Sequence, residues 1–138
     1  MSKKRTAGAV AVFAGLYIAL SEASSHFGEV LWSSRDMQAH AFWLVSALAG
    51  ALVARSKFLA PALATWAVLW VLAVALLYQI TAGAGQGSLL SIVQHNAVGL
   101  GLSLLSVLLG VFGGQYLAEK VLKRAPASPF YSFKPTPL

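Results

Sequence analysis

Four stretches of this chain are each long and apolar enough to cross a lipid bilayer, and that single feature restricts the fold more than any other. A helix rises about 1.5 Å per residue, so about 20 apolar residues span a hydrocarbon layer of about 30 Å. Hydrophobic residues make up 58% of the 138-residue chain and charged residues only 10%, against about 25% charged in an ordinary soluble domain. The sequence therefore predicts an all-α integral membrane protein, a four-transmembrane-helix bundle running up-down-up-down.

The expected helices cover about residues 7–27, 37–54, 58–81 and 89–118, the last with an extension to 123. Residues 1–124 form the membrane domain. A tail over 125–138 contains Pro126, Pro129, Pro135 and Pro137, which block regular helix. The first run also has the shape of a secretory signal: a basic start, a short apolar stretch, and small residues at Ser21 and Ala23. We expect it to be retained as a span. Pro61 falls in the first turn of the third helix, where a missing N–H is tolerated, and Ser88 is placed to cap the fourth.

Orientation follows from the basic residues. Nine of the ten, Lys3, Lys4, Arg5, Arg55, Lys57, Lys120, Lys123, Arg124 and Lys134, fall on one side of the expected topology, and only Arg35 on the other. Positive flanks stay in the cytosol, so both termini are expected there, in a membrane of the bacterial inner type. The net charge of +6 is topological on this reading and implies no nucleic acid partner. The chain lacks cysteine, which excludes thiolate nucleophiles, cysteine metal sites and disulfides.

Helices in lipid approach closely through small residues. Ser106, Gly110 and Gly114 recur at intervals of four, with Gly99, Ser103 and Gly113 widening that stripe. The second helix offers Ser46, Gly50 and Ala54 on one ridge and Ala47 and Ala51 on another, and the first offers Ala11, Gly15 and Ala19. These three helices are expected to pack tightly. The third, with Trp66, Leu69, Trp70, Leu72, Leu76 and Leu77, is expected to face lipid. Trp32 and Trp43 read as anchors in the interfacial aromatic belt.

Proton-active side chains are few. Glu22, His26, Glu29, Asp36, His40 and His95 all map to the outer helix ends, and Glu119 to the cytosolic side. Glu22, His26 and Glu29 share one helical face with Ala11 and Gly15, which points that face into the bundle. The same arithmetic turns His40 and His95 inward. His26, His40 and His95, with Glu22 or Glu29, would then suit a transition metal or a proton relay, and two of the histidines would suit haem iron. No HExxH or related motif accompanies them. The plainer alternative is that these residues cap helix ends and bind water or headgroups.

Three functions fit this pattern. The first is a non-catalytic accessory, assembly or scaffold subunit of a membrane complex, partnered by lipid and by other membrane subunits or further copies of itself. The second is a small proton- or cation-coupled transporter using Glu22 and nearby histidines; in size, helix count and a first-helix carboxylate the chain is similar to the small multidrug exporters, a likeness of general features with no shared motif. The third is a metal- or haem-binding membrane protein using His26, His40 and His95. Nothing in the sequence marks an enzyme: nucleotide-binding glycine motifs and nucleophile elbows are absent.

Overall fold

A computed structural model describes residues 2–27, 35–55, 57–85 and 88–123. The described residues contain five helices: α1 (Lys3–Phe27), α2 (Arg35–Ala54), α3 (Leu59–Gly83), α4 (Leu89–His95) and α5 (Ala97–Lys123). Four of them contain stretches long and apolar enough to cross a membrane, namely Lys3–His26, Met37–Ala54, Leu59–Gly83 and Ala97–Val121. Glu29, Trp32, the side chains of Arg35 and Asp36, and the proline-containing tail lie outside the described residues.

Helix ends follow local chemistry. Ser2 and Ser88 accept from the backbone N–H of Arg5 and Ser91 at 3.4 and 3.2 Å, filling orphan donors of the first turns of α1 and α4. The α2–α3 connection is short, with Arg55 and Lys57 both left-handed (φ 66° and 53°). Within the apolar helices, Thr65, Thr81 and Ser106 donate to the carbonyls of Pro61, Leu77 and Leu102. Each hydroxyl is thereby satisfied by its own helix, which removes the penalty of carrying it into a medium without water.

One helix is two. The expected fourth span is interrupted at Asn96, whose backbone N–H and Nδ2 both donate to the Ile92 carbonyl, at 3.2 and 2.8 Å. The side chain competes for the helical acceptor and Asn96 adopts φ −98°, ψ 4°, ending α4 one residue before α5 begins.

The core joins α1, α2, α5 and the start of α3. It consists of Ala9 and Phe13, Trp43, Ala47, Ala51 and Ala54, Phe58 and Ala62, and Val107 and Val111. The closest approach is between α2 and α5. A Cβ placed on Gly110 would lie 2.5 Å from the Leu44 carbonyl oxygen and 2.9 Å from Ala47 Cβ; on Gly114, 2.6 Å from the Leu48 carbonyl and 2.7 Å from Ala51 Cβ. Backbone meets backbone there only because the side chain is a hydrogen. Gly50 serves α1 and the α2–α3 connection in the same way: its absent Cβ leaves room for the Phe58 ring, 2.7 Å away, and the Ala9 carbonyl at 3.1 Å. Ser106, by contrast, is not among the buried residues and bonds only within its own helix.

The first helix is turned differently from the expected face. Ala11, Gly15 and Ala19 are exposed, with nothing within 4 Å of a Cβ on Gly15, while Ala9 and Phe13 are fully buried. The reason is volume. Phe13 packs edge-on against both Trp43 (6.0 Å between centroids) and Phe58 (6.3 Å), and Tyr17 stacks on Trp43 at 4.0 Å and 28°. These rings bury far more area than three alanine-sized positions offer. Trp43 is accordingly a core residue, 5% exposed, and not a belt anchor. The third helix divides. Trp66, Leu69 and Trp70 pack against the core, whereas Val68, Val71, Leu72, Leu76 and Ile80 are exposed.

Candidate functional site

The C-terminal half of α1, the first turns of α2, the middle of α3 and the α4–α5 junction line an open cavity of about 470 Å³, within the range of about 300 to 1,000 Å³ typical of small-molecule sites. Its polar lining comes from Tyr17, His40, His95, Asn96 and Ser103, and its flat apolar walls from Trp43 and Trp70. Among the described residues, no Asp, Glu, Lys or Arg appears in that lining.

Each wall is fixed by a specific device. Ser103 is buried and its hydroxyl is saturated: it accepts from Trp66 Nε1 at 3.0 Å and Trp70 Nε1 at 2.9 Å, and donates to the Leu100 carbonyl at 2.9 Å. With both lone pairs and the proton in use, Ser103 holds two indoles in place and has no capacity left for a ligand. Trp43 is held by the stack with Tyr17 and the edge contact with Phe13. The Asn96 break sets the residues that follow it, Val98, Gly99 and Leu102, along the cavity's edge.

His40, in α2, lines this cavity, while its Nδ1 is fully covered and has no hydrogen-bond partner among the described residues. His95, the last residue of α4, lines the same space while remaining exposed. His26 does not join them. It lies exposed on the last turn of α1, its Nδ1 3.1 Å from the Glu22 carbonyl oxygen and 3.3 Å from Ser25 Oγ. Glu22 is exposed as well and is not part of the lining. The expectation that Glu22 and His26 face the bundle interior is therefore corrected, for the same reason as the face of α1: Phe13 and Tyr17 claim the inward side. Among the described residues, no three His, Asp or Glu side chains come together as a metal would require.

Of the glycines proposed for packing, Gly50, Gly110 and Gly114 lie at close approaches, whereas Gly15 and Gly99 have open space where a Cβ would stand. Gly99 instead edges the cavity beside His95. Sequence reasoning missed Tyr17, Trp70, Ser103 and Asn96 as parts of a site. The signal available for Ser103 was its place in the small-residue stripe; for Asn96, it was an amide interrupting an otherwise apolar run. Comparison with known protein families, with characterised proteins and with solved structures finds no match to this chain.

Proposed function

We propose that the chain is an integral membrane protein that crosses the bilayer four times, up-down-up-down, with both termini in the cytosol of a bacterial inner membrane, and that it serves as a non-catalytic accessory or assembly subunit of a membrane complex. The observation that carries the functional part is the placement of Glu22 and His26 on the outside of α1, while the α1–α2–α5 core is closed by aromatic rings and alanines. A proton-coupled carrier needs its carboxylate on a pathway between helices, and a scaffold needs a firm core with apolar faces left over. The exposed faces of α3 (Val71, Leu76, Ile80) and α5 (Leu105, Leu109, Phe112) supply those, to lipid or to neighbouring subunits.

Helix contacts support the topology. Ala9 lies by Gly50 and Tyr17 by Trp43, so α1 and α2 run in opposite senses, while Gly110 meets Ala47 and Gly114 meets Ala51, so α2 and α5 run in the same sense. The nine-to-one basic bias adds the side. The transporter reading through Glu22 and the metal or haem reading through three histidines have less support, since Glu22 and His26 are not on the cavity lining.

The chain's lack of cysteine gives a ready background for the test. Single cysteines at Ser2, Lys57 and Ser88 are expected to label from the cytosolic, cytosolic and outer faces respectively. Purification from native membranes in mild detergent is expected to retain a stoichiometric second membrane protein. A lone copy or homodimer, with proton-coupled flux that Glu22→Gln abolishes, would replace the accessory reading with the transporter.

A further inference from the structure

Beyond that role, and independent of it, we propose that the cavity between α1, α2, α3 and the α4–α5 junction binds a neutral, lipid-soluble molecule with a planar carbonyl-bearing ring, of the quinone class. Four properties of the cavity select this chemistry.

The first is charge. With no Asp, Glu, Lys or Arg in the lining among the described residues, an ionic ligand would be taken out of water or headgroups without a counter-charge from them, which is strongly unfavourable. The second is hydrogen bonding. Ser103 is saturated and Trp70 has its N–H committed to it, while Asn96 has one of its two amide N–H groups committed to Ile92 and keeps the other. The Tyr17 hydroxyl and the imidazoles of His40 and His95 remain as well, and because His40 Nδ1 is fully covered, only the Nε2 side of that ring can meet a ligand. A neutral imidazole donates from one nitrogen, and a phenol hydroxyl and a free amide N–H donate too. Carbonyl oxygens on a ligand accept from such donors.

The third is shape. Trp43 and Tyr17 form a stacked pair at 4.0 Å, and Trp70 is pinned by its indole N–H. Flat, fixed aromatic walls favour a flat ring lying against them. The fourth is access. The cavity's edge includes Val98, 75% exposed, and Leu102, 45% exposed, both within the apolar span Ala97–Val121. An apolar rim at membrane depth admits a ligand from the hydrocarbon and leaves room for its tail to stay there.

The test uses the full chain in lipid nanodiscs, titrated with a ubiquinone bearing a decyl tail, with quenching of tryptophan fluorescence as the readout. Trp43 and Trp70 line the site, so wild type is expected to show saturable quenching with one site per chain. His40→Phe removes an imidazole from the lining and is expected to raise Kd by about tenfold. Gly99→Phe fills the edge from a position where a Cβ meets nothing within 4 Å, so it is expected to abolish saturation while the thermal unfolding midpoint stays close to wild type. Linear, unsaturable quenching in wild type overturns the proposal. So does quenching by folded Gly99→Phe equal to wild type. Zinc titrated alone, binding one per chain and lost in His40→Phe while quinone quenching is unchanged, also overturns it and reassigns the histidines to a metal.

Discussion

Gly15, Gly110 and Gly114 look alike in the sequence, each on a four-residue ridge of small side chains, yet the structure gives them opposite roles. At Gly110 an added Cβ would stand 2.5 Å from the Leu44 carbonyl oxygen, where ordinary contact begins at 3.4 Å; α2 and α5 must separate locally by up to about 0.9 Å to admit it. A gap of that size forfeits a quarter to a half of the dispersion energy of each contact it opens, including those around Ala47 and Val107. Overpacking of this kind costs about 1 to 3 kcal/mol, and alanine's better helix propensity returns up to about 1 kcal/mol. With the full return, Gly110→Ala is therefore expected to lose about 0 to 2 kcal/mol net, and about 1 to 3 kcal/mol relative to Gly15→Ala, which gains the same return. Gly15→Ala, where nothing lies within 4 Å, is expected to be neutral or slightly stabilising. The double variant Gly110→Ala/Gly114→Ala should cost less than the two singles together, because the first separation makes room for the second methyl. Unfolding in mixed micelles with increasing SDS, followed by circular dichroism, measures all four proteins. A Gly110→Ala protein as stable as Gly15→Ala would refute the close-approach argument.

Two serines offer a matched contrast. Ser103→Ala removes the acceptor of two indole N–H groups and is expected to destabilise by about 1 to 3 kcal/mol, whereas Ser46→Ala deletes a buried hydroxyl that has no partner and is expected to leave stability unchanged or raise it; the same SDS titration reads both, and equal losses would contradict the assignment. Phe13→Ala empties the space between Trp43 and Phe58 and is expected to cost about 3 to 5 kcal/mol, with a shift in tryptophan emission as Trp43 gains room. A loss below that range, with unchanged emission, would mean that the three rings do not form one cluster.

The four long apolar helices were legible because a lipid layer imposes a simple rule on length and polarity, and α2 was legible in detail because its small residues occupy every position that the structure buries except Trp43. The face of α1 was not. Its spacing of Ala11, Gly15 and Ala19 is indistinguishable from a packing ridge until the partner is known, and the partner offers a groove between Trp43 and Phe58 that an aromatic ring fits and an alanine does not. Trp43 itself reads as a belt residue from its place near a helix start; only its stack on Tyr17, 26 positions earlier in the chain, draws it inward. The histidines carried the same ambiguity. Height along the helix is readable at 1.5 Å per residue, but rotation about the axis depends on which face packs. An error in the face of α1 therefore moved His26 and Glu22 outward together and left His40 and His95 at the cavity.

Side-chain size along the helices accounts for where that cavity lies. Where α2 and α5 present Ala47, Ala51, Gly110 and Gly114, the backbones touch and nothing else fits between them. Toward the start of α5 the residues that meet are larger: Trp66 and Trp70 reach across to Ser103, and Trp43 and Tyr17 stand between α1 and α2. Rings of that size cannot be accommodated at backbone-contact distance, so the helices they separate leave space beyond them, and Asn96 places the break in the fourth span at that level. The dry, close-packed half of the bundle then acts as a clamp. It fixes the helix axes that the open half inherits, and the Ser103 hydroxyl with its two indoles and the Tyr17–Trp43 stack then set the walls beside His40.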